Sequence, residues 1–235
     1  GGGGGEGVSR KELLSGQKGN GMVVEAVMVR RGGSAVYDLK VTNNGPAPIS
    51  AIAVQFNKNV LGMTNAEQLQ LPTLAPSQSA HALLPMTFSP DKASPSGQPG
   101  VLQVAIKNNT GVYYFSDKVP LPALLVEGGR IESSAYPQTW QAIPPANQAV
   151  AALSGFPLDA AHVEQRLTSA NVHVLHRKAL QQGGQALYCS AKTDAGVVLL
   201  CEVQVLASSA RCAARCENAS LAQLLPPAIQ ALLTQ

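Results

Sequence analysis

At 235 residues, 45% of them hydrophobic and 13% charged, the chain can build one large domain or two smaller ones with real cores, which excludes a disordered tail. The net charge of +3 is small and Lys and Arg are scattered, with no run longer than Arg30-Arg31. Nucleic acid therefore finds no electrostatic footprint, and no apolar stretch approaches the roughly 18 residues needed to insert into a bilayer.

The chain opens on Gly1 to Gly5 and then Glu6, without the apolar region of a secretory signal. Residues 1–20 read as the flexible remnant of a linker to a longer chain, and Leu13-Leu14 inside it carries no assignment. From 21 to 123, short Val-rich runs alternate with turn clusters. Strands are expected at 22–29, 35–42, 52–56, 80–88, 101–107 and 112–115. Asn43-Asn44-Gly45-Pro46 breaks the pattern once. Asn108-Asn109-Thr110-Gly111 has the composition of a hairpin turn, because Asn and Gly tolerate positive φ. The stretch 89–100, rich in Pro, Ser and Gly, reads as loop. Short strands at this spacing, with no helical period, predict an immunoglobulin-like sandwich of two antiparallel sheets.

The texture changes near 120–129, so 124–235 is expected to form a second subdomain. Apolar residues at Ala160, Val163 and Leu167 have helical spacing, and Asp159 stands where an N-cap belongs. Strands follow at 171–176, 185–193 and 196–206, the last two joined by a turn at Asp194-Ala195-Gly196. A closing amphipathic helix runs over 220–233, with Pro226-Pro227 as a break or a fresh start. Helix, antiparallel strands and helix predict an α+β platform, one antiparallel sheet with helices on one side.

Catalytic chemistry has no visible carrier. The sequence lacks GxSxG, HExxH, a phosphate loop and a GxGxxG after a strand, so no enzyme, cofactor or metal is expected. Cys189, Cys201, Cys212 and Cys216 all fall late in the chain and read as reduced thiols, and Cys212 and Cys216 lack partners at metal-ligand spacing. His173 and His176 lie three apart in a strand-like segment, which puts them on opposite faces. Aromatics make up only 4% of the chain, so their placement matters. In a strand, Tyr113 and Phe115 share one face and Tyr114 takes the other, near Lys107 and Gln55 if the strands pair. Trp140, the single tryptophan, stands in turn-rich company. It is either a plug in its own core or an exposed anchor, and Tyr188 has the same two readings.

Several blocks, in order and at matching separations after residue 20, resemble the beta-adaptin appendage, the ear of the large beta subunit of a clathrin adaptor. They are Ala53-Val54-Gln55-Phe56-Asn57-Lys58-Asn59, the LQVAIKNN run at 102–109, Tyr113-Tyr114-Phe115-Ser116, Thr139-Trp140 with Ile143-Pro144, and Leu187-Tyr188 with Leu200 to Glu202. The resemblance implies a non-catalytic module with two sites for short peptides. On the platform, Trp140 and Tyr188 match the family's exposed aromatics, Lys178 a basic position and Glu202 an acidic one. Gln141 and Ser133 stand where basic residues are common in the family, and Gln148 where an acid is usual. On the sandwich side, Tyr114, Lys107, Gln55 and Ala105 match the second site. The implied partners are clathrin and accessory or cargo-adaptor proteins bearing Phe/Leu peptides, with other adaptor subunits reached through an N-terminal trunk. The implied location is cytoplasmic, peripheral on clathrin-coated membranes of the plasma membrane or trans-Golgi network. The alternative, a secreted or cell-surface immunoglobulin-type adhesion domain, requires disulfides.

Overall fold

Alternation in the first half of the sequence becomes the pleat of two antiparallel sheets. In β2 (Met22–Arg31) the residues Met22, Val24, Ala26 and Met28 point inward, and their neighbours are more exposed. The computed structural model describes residues 9–94 and 97–234. The chain divides into two units, one ending at Ala123 and the other beginning at Leu124.

In the first unit, β1 (Lys11–Leu14), β2, β3 (Ser34–Asn43), β6 (Ser79–Phe88) and β5 (Met63–Asn65) form one sheet in that order. The other sheet is β4 (Ala53–Phe56), β7 (Val101–Asn108) and β8 (Gly111–Lys118). Contacts across the core join them. Tyr37 on β3 meets Phe56 on β4 edge to face at 5.6 Å, and its hydroxyl donates to Asp117 Oδ2 on β8 at 3.0 Å. Leu39, Val41, Leu84, Val104 and Ile106 fill the space between them. This is the sandwich that the sequence predicts.

Two details of this unit depart from expectation. Residues 11–14, placed in a linker by the sequence reading, form an edge strand. Two buried carboxylates explain why, since an unpaired buried charge is costly. Arg10 and Arg31 both bind Asp38, while Lys11 pairs with Asp117 and Leu14 enters the core. The linker reading of Gly1 to Glu6 lies outside the described residues. The β7–β8 hairpin also forms, but no residue from 108 to 111 has positive φ. The Asn108 side chain shapes that turn instead, its Oδ1 accepting from the backbone of Thr110 at 2.7 Å and of Gly111 at 3.2 Å.

The second unit holds a five-stranded antiparallel sheet in the order β10 (His173–Ala179), β11 (Gln185–Lys192), β12 (Val198–Val205), β13 (Ala210–Cys216), β9 (Gln148–Leu153). Two short helices, α1 (Leu121–Leu124) and α2 (Tyr136–Ala142), precede in the chain helix α3 (Ala160–Ser169), which is capped as expected, Asp159 accepting from Ala161 N and His162 N. The closing helix α4 (Ala219–Leu233) is capped by Asn218 and packs on β9 and β13. It runs straight through Pro226 and Pro227, which the sequence reading takes as a break or a restart. Burial of Leu221, Leu224, Leu225, Ile229, Leu232 and Leu233 holds the helix against the sheet despite the backbone bonds the prolines remove. All four cysteines are free and buried, so the disulfides that an adhesion domain needs are not built.

Candidate functional site

On the platform, cross-strand pairing aligns His176, Tyr188, Glu202, Ala213 and Val150 in one row from β10 to β9. Directly paired residues share a sheet face, so these side chains all stand on the side opposite Cys189 and Cys201. A β-bulge between Val174 and His176 shifts the register. As a result His173 pairs with Ser190 and His176 with Tyr188, which puts both histidines on one face, contrary to the parity expected of a regular strand.

A short helix, α2 (Tyr136–Ala142), with the strand residues, builds an aromatic cluster on that row. Tyr136 is buried and donates its hydroxyl proton to the Cys201 carbonyl at 3.1 Å. Burial pushes its phenol far above the usual range. Against this ring Trp140 stacks at 5.7 Å and 22°, and Tyr188 stands edge-on at 5.4 Å and 74°. His176 stacks on Tyr188 at 6.2 Å. Trp140 and Tyr188 are half-buried, packed on Tyr136, Ile143 and Leu200 but not sealed. Partial burial raises the Tyr188 phenol, and the neighbouring Glu202 carboxylate adds to the shift. Trp140 is therefore neither sealed as a core plug nor fully exposed, one part of its ring packing on Tyr136 and the rest accessible.

Polar groups frame the cluster. Glu202 accepts from Gln204, whose amide oxygen in turn accepts from Arg211 Nε at 2.9 Å. Lys178 is exposed and shares the Ala186–Gln204–Arg211 row. Gln141 and Ser133 are exposed and Gln148 holds Arg215, accepting from its Nε at 2.8 Å. Arg215 also donates to the Trp140 carbonyl at 2.9 Å and lays its guanidinium 4.8 Å from the indole centroid. Sequence reading misses Arg215, Tyr136, His176 and Val150. Arg215 lies on β13, whose Ala-Arg-Cys-Ala-Ala-Arg-Cys sequence carries no β-branched residue to announce a strand.

In the sandwich, Gln55 pairs with Ala105 and Ala105 with Tyr114, so these three form one outward row. The next row is Ala53, Lys107 and Val112. Phe115 is buried on the inner face, while Tyr114 is 70% exposed and Val112 52%. The structure thus gathers all four sandwich-side residues on one open sheet face. No group of three metal-ligating side chains occurs among the described residues.

Residues 126–233 match the family described as Beta2-adaptin appendage, C-terminal sub-domain. The chain is 32% identical over 202 residues to AP-1 complex subunit beta-1 of Homo sapiens, covering 85% of this chain and 21% of that protein. Against AP-1 complex subunit beta-1 of Rattus norvegicus the identity is 32% over 195 residues, 82% of this chain and 20% of the relative. AP-1 complex subunit beta of Dictyostelium discoideum is 24% identical over 215 residues, 90% of this chain and 22% of the relative. These matches, on a chain of a sandwich unit followed by an α+β unit, define the class, an adaptor appendage of two subdomains. Within that class the chain belongs with the beta-adaptin appendages. It spans about a fifth of the length of the relatives it matches.

Proposed function

We propose that the chain is a non-catalytic docking module of a clathrin adaptor, capturing short Phe- or Leu-containing peptides of clathrin and accessory proteins. The observation that carries this reading is the setting of accessible aromatic rings on ordered elements, Tyr114 on a strand of the sandwich and, on the platform, Trp140 on α2 beside Tyr188 on β11. A Phe or Leu laid against such a ring removes apolar surface from water, worth about 1.5–3 kcal/mol when fully buried. Glu202 is placed to meet an Arg of the ligand, and Lys178, Lys107 and Arg215 to meet its acids. Each rim pair contributes about 1 kcal/mol or less. Ordering a flexible peptide offsets much of this gain, so affinity is expected at roughly micromolar for each site. Several such contacts in a coat then hold by multivalency. Likeness to AP-1 beta subunits supports a place in a larger adaptor, with partner subunits and a coat at a cytoplasmic membrane surface.

Two synthetic peptides test the reading by calorimetric titration, one of Phe-x-Asp-x-Phe type and one helical with Phe, Leu and Arg. Trp140→Ala and Tyr114→Ala should each fold and each lose a different peptide. Unchanged binding of both peptides by both variants would refute it.

A further inference from the structure

The outward face that carries Tyr114 does not end at its row. Toward the far end of β8 the next rows pair Gln103 with Ser116 and Val101 with Lys118. These residues floor a cleft of about 970 Å3 whose walls come from Lys11 and Leu13 on β1, from 57–59 after β4 and from Gln98. That volume accommodates several side chains. Its charge is one-sided. Asp117 is the sole carboxylate among the lining residues, and it is buried and already engaged by Lys11 and the Tyr37 hydroxyl. Lys58 and Lys118 are exposed and make no ion pair among the described residues. Amide and hydroxyl groups of Asn57, Gln98, Gln103 and Ser116 supply neutral donors beside them.

We propose that this cleft is an acidic subsite continuous with the Tyr114 row, taking aspartate or glutamate residues of the peptide whose hydrophobic residue docks on Tyr114. The inference rests on the docking reading and adds a ligand class and a spacing to it. Tyr114 and Lys118 are four residues apart on one strand, about 13 Å at the rise of an extended chain. An extended ligand therefore presents its acids about four residues from its Phe or Leu. A peptide fits better than a point anion because the donors are spread along two strands and two loops instead of converging on one atom.

The test uses the full chain and short Gly/Ser peptides with one Phe and two Asp residues beginning four positions away, made in both chain directions, with Gln-for-Asp controls. At low ionic strength one direction of the Asp peptide should bind about three- to ten-fold tighter than its control. That gap should close in Lys58→Gln/Lys118→Gln and shrink at about 0.5 M salt, where screening is strong. The control peptide should bind the double variant as it binds wild type. Absence of the gap in wild type, or its survival in the double variant, overturns the subsite even if Tyr114→Ala abolishes binding. If Tyr114→Ala binds the control peptide as wild type does, the docking reading itself fails and the subsite with it. Retention of wild type, but not the double variant, on phosphatidylserine vesicles without any peptide gap would assign the cleft to lipid and overturn the proposal.

Discussion

The two candidate surfaces use aromatic rings in opposite ways. Tyr114 stands alone on a strand, 70% exposed, with the sandwich core on the other side of its sheet. Trp140 is half-buried in a cluster with Tyr136 beneath it and Arg215 against it. An isolated ring on a strand adds little to folding, so under the proposed function its worth lies in what docks on it. A ring shared with a core contributes to both, and its position is fixed before any ligand arrives.

The largest effect that sharpens this contrast is expected at Tyr136. Replacing it by Ala removes the buried ring under both platform aromatics and should destabilise the second unit by about 3–5 kcal/mol in denaturant unfolding. Tyr114→Ala should shift stability by less than about 0.5 kcal/mol in the same assay. Next comes Trp140→Ala, which should weaken the platform peptide by at least about 2 kcal/mol, the scale of an interface hot spot. If it leaves that affinity untouched, Trp140 belongs to the core alone.

Alkaline pH separates core phenols from surface ones. Tyr37 and Tyr136 are raised far above the ordinary value of 10.0, mainly by burial, so the folded chain keeps protons that the unfolded chain releases. Their contribution is complete below pH 10 and is lost as pH rises above it, by about 1.4 kcal/mol per pH unit for each phenol. Urea midpoints at pH 9, 10 and 11 should fall accordingly, and Tyr37→Phe should reduce the slope. A smaller effect than at Tyr136 or Trp140 is expected for Arg215→Gln, which removes a cation–π contact between two half-buried groups. It should alter stability by less than about 1 kcal/mol while weakening acidic platform peptides more than neutral ones.

Legibility in the sequence followed the chemistry of the residues. Val-rich alternation announced β2, β3 and β7, and the Asp159 cap announced α3. In contrast β9 (Gln-Ala-Val-Ala-Ala-Leu) and β13 (Ala-Arg-Cys-Ala-Ala-Arg-Cys) are rich in Ala and share a single β-branched residue, Val150, so no strand pattern announces them, although the α4 helix packs on both. Parity set Tyr114 on the face opposite Phe115, and the regular strand keeps them so, Phe115 buried and Tyr114 exposed. The same argument failed for His173 and His176, where a bulge adds a residue that no local pattern marks. The members of the platform cluster converge from α2, β10, β11 and β13, and only the register of the sheet brings Arg215 and His176 to Trp140 and Tyr188.

Because the chain has one tryptophan, its indole N–H is a single reporter on the platform. A proton–nitrogen correlation spectrum recorded during titration should show that signal moving with the helical Phe/Leu/Arg peptide. With a peptide that requires Tyr114 it should stay still. An indole signal that ignores the helical peptide at saturation would contradict the account of Trp140 as a docking ring.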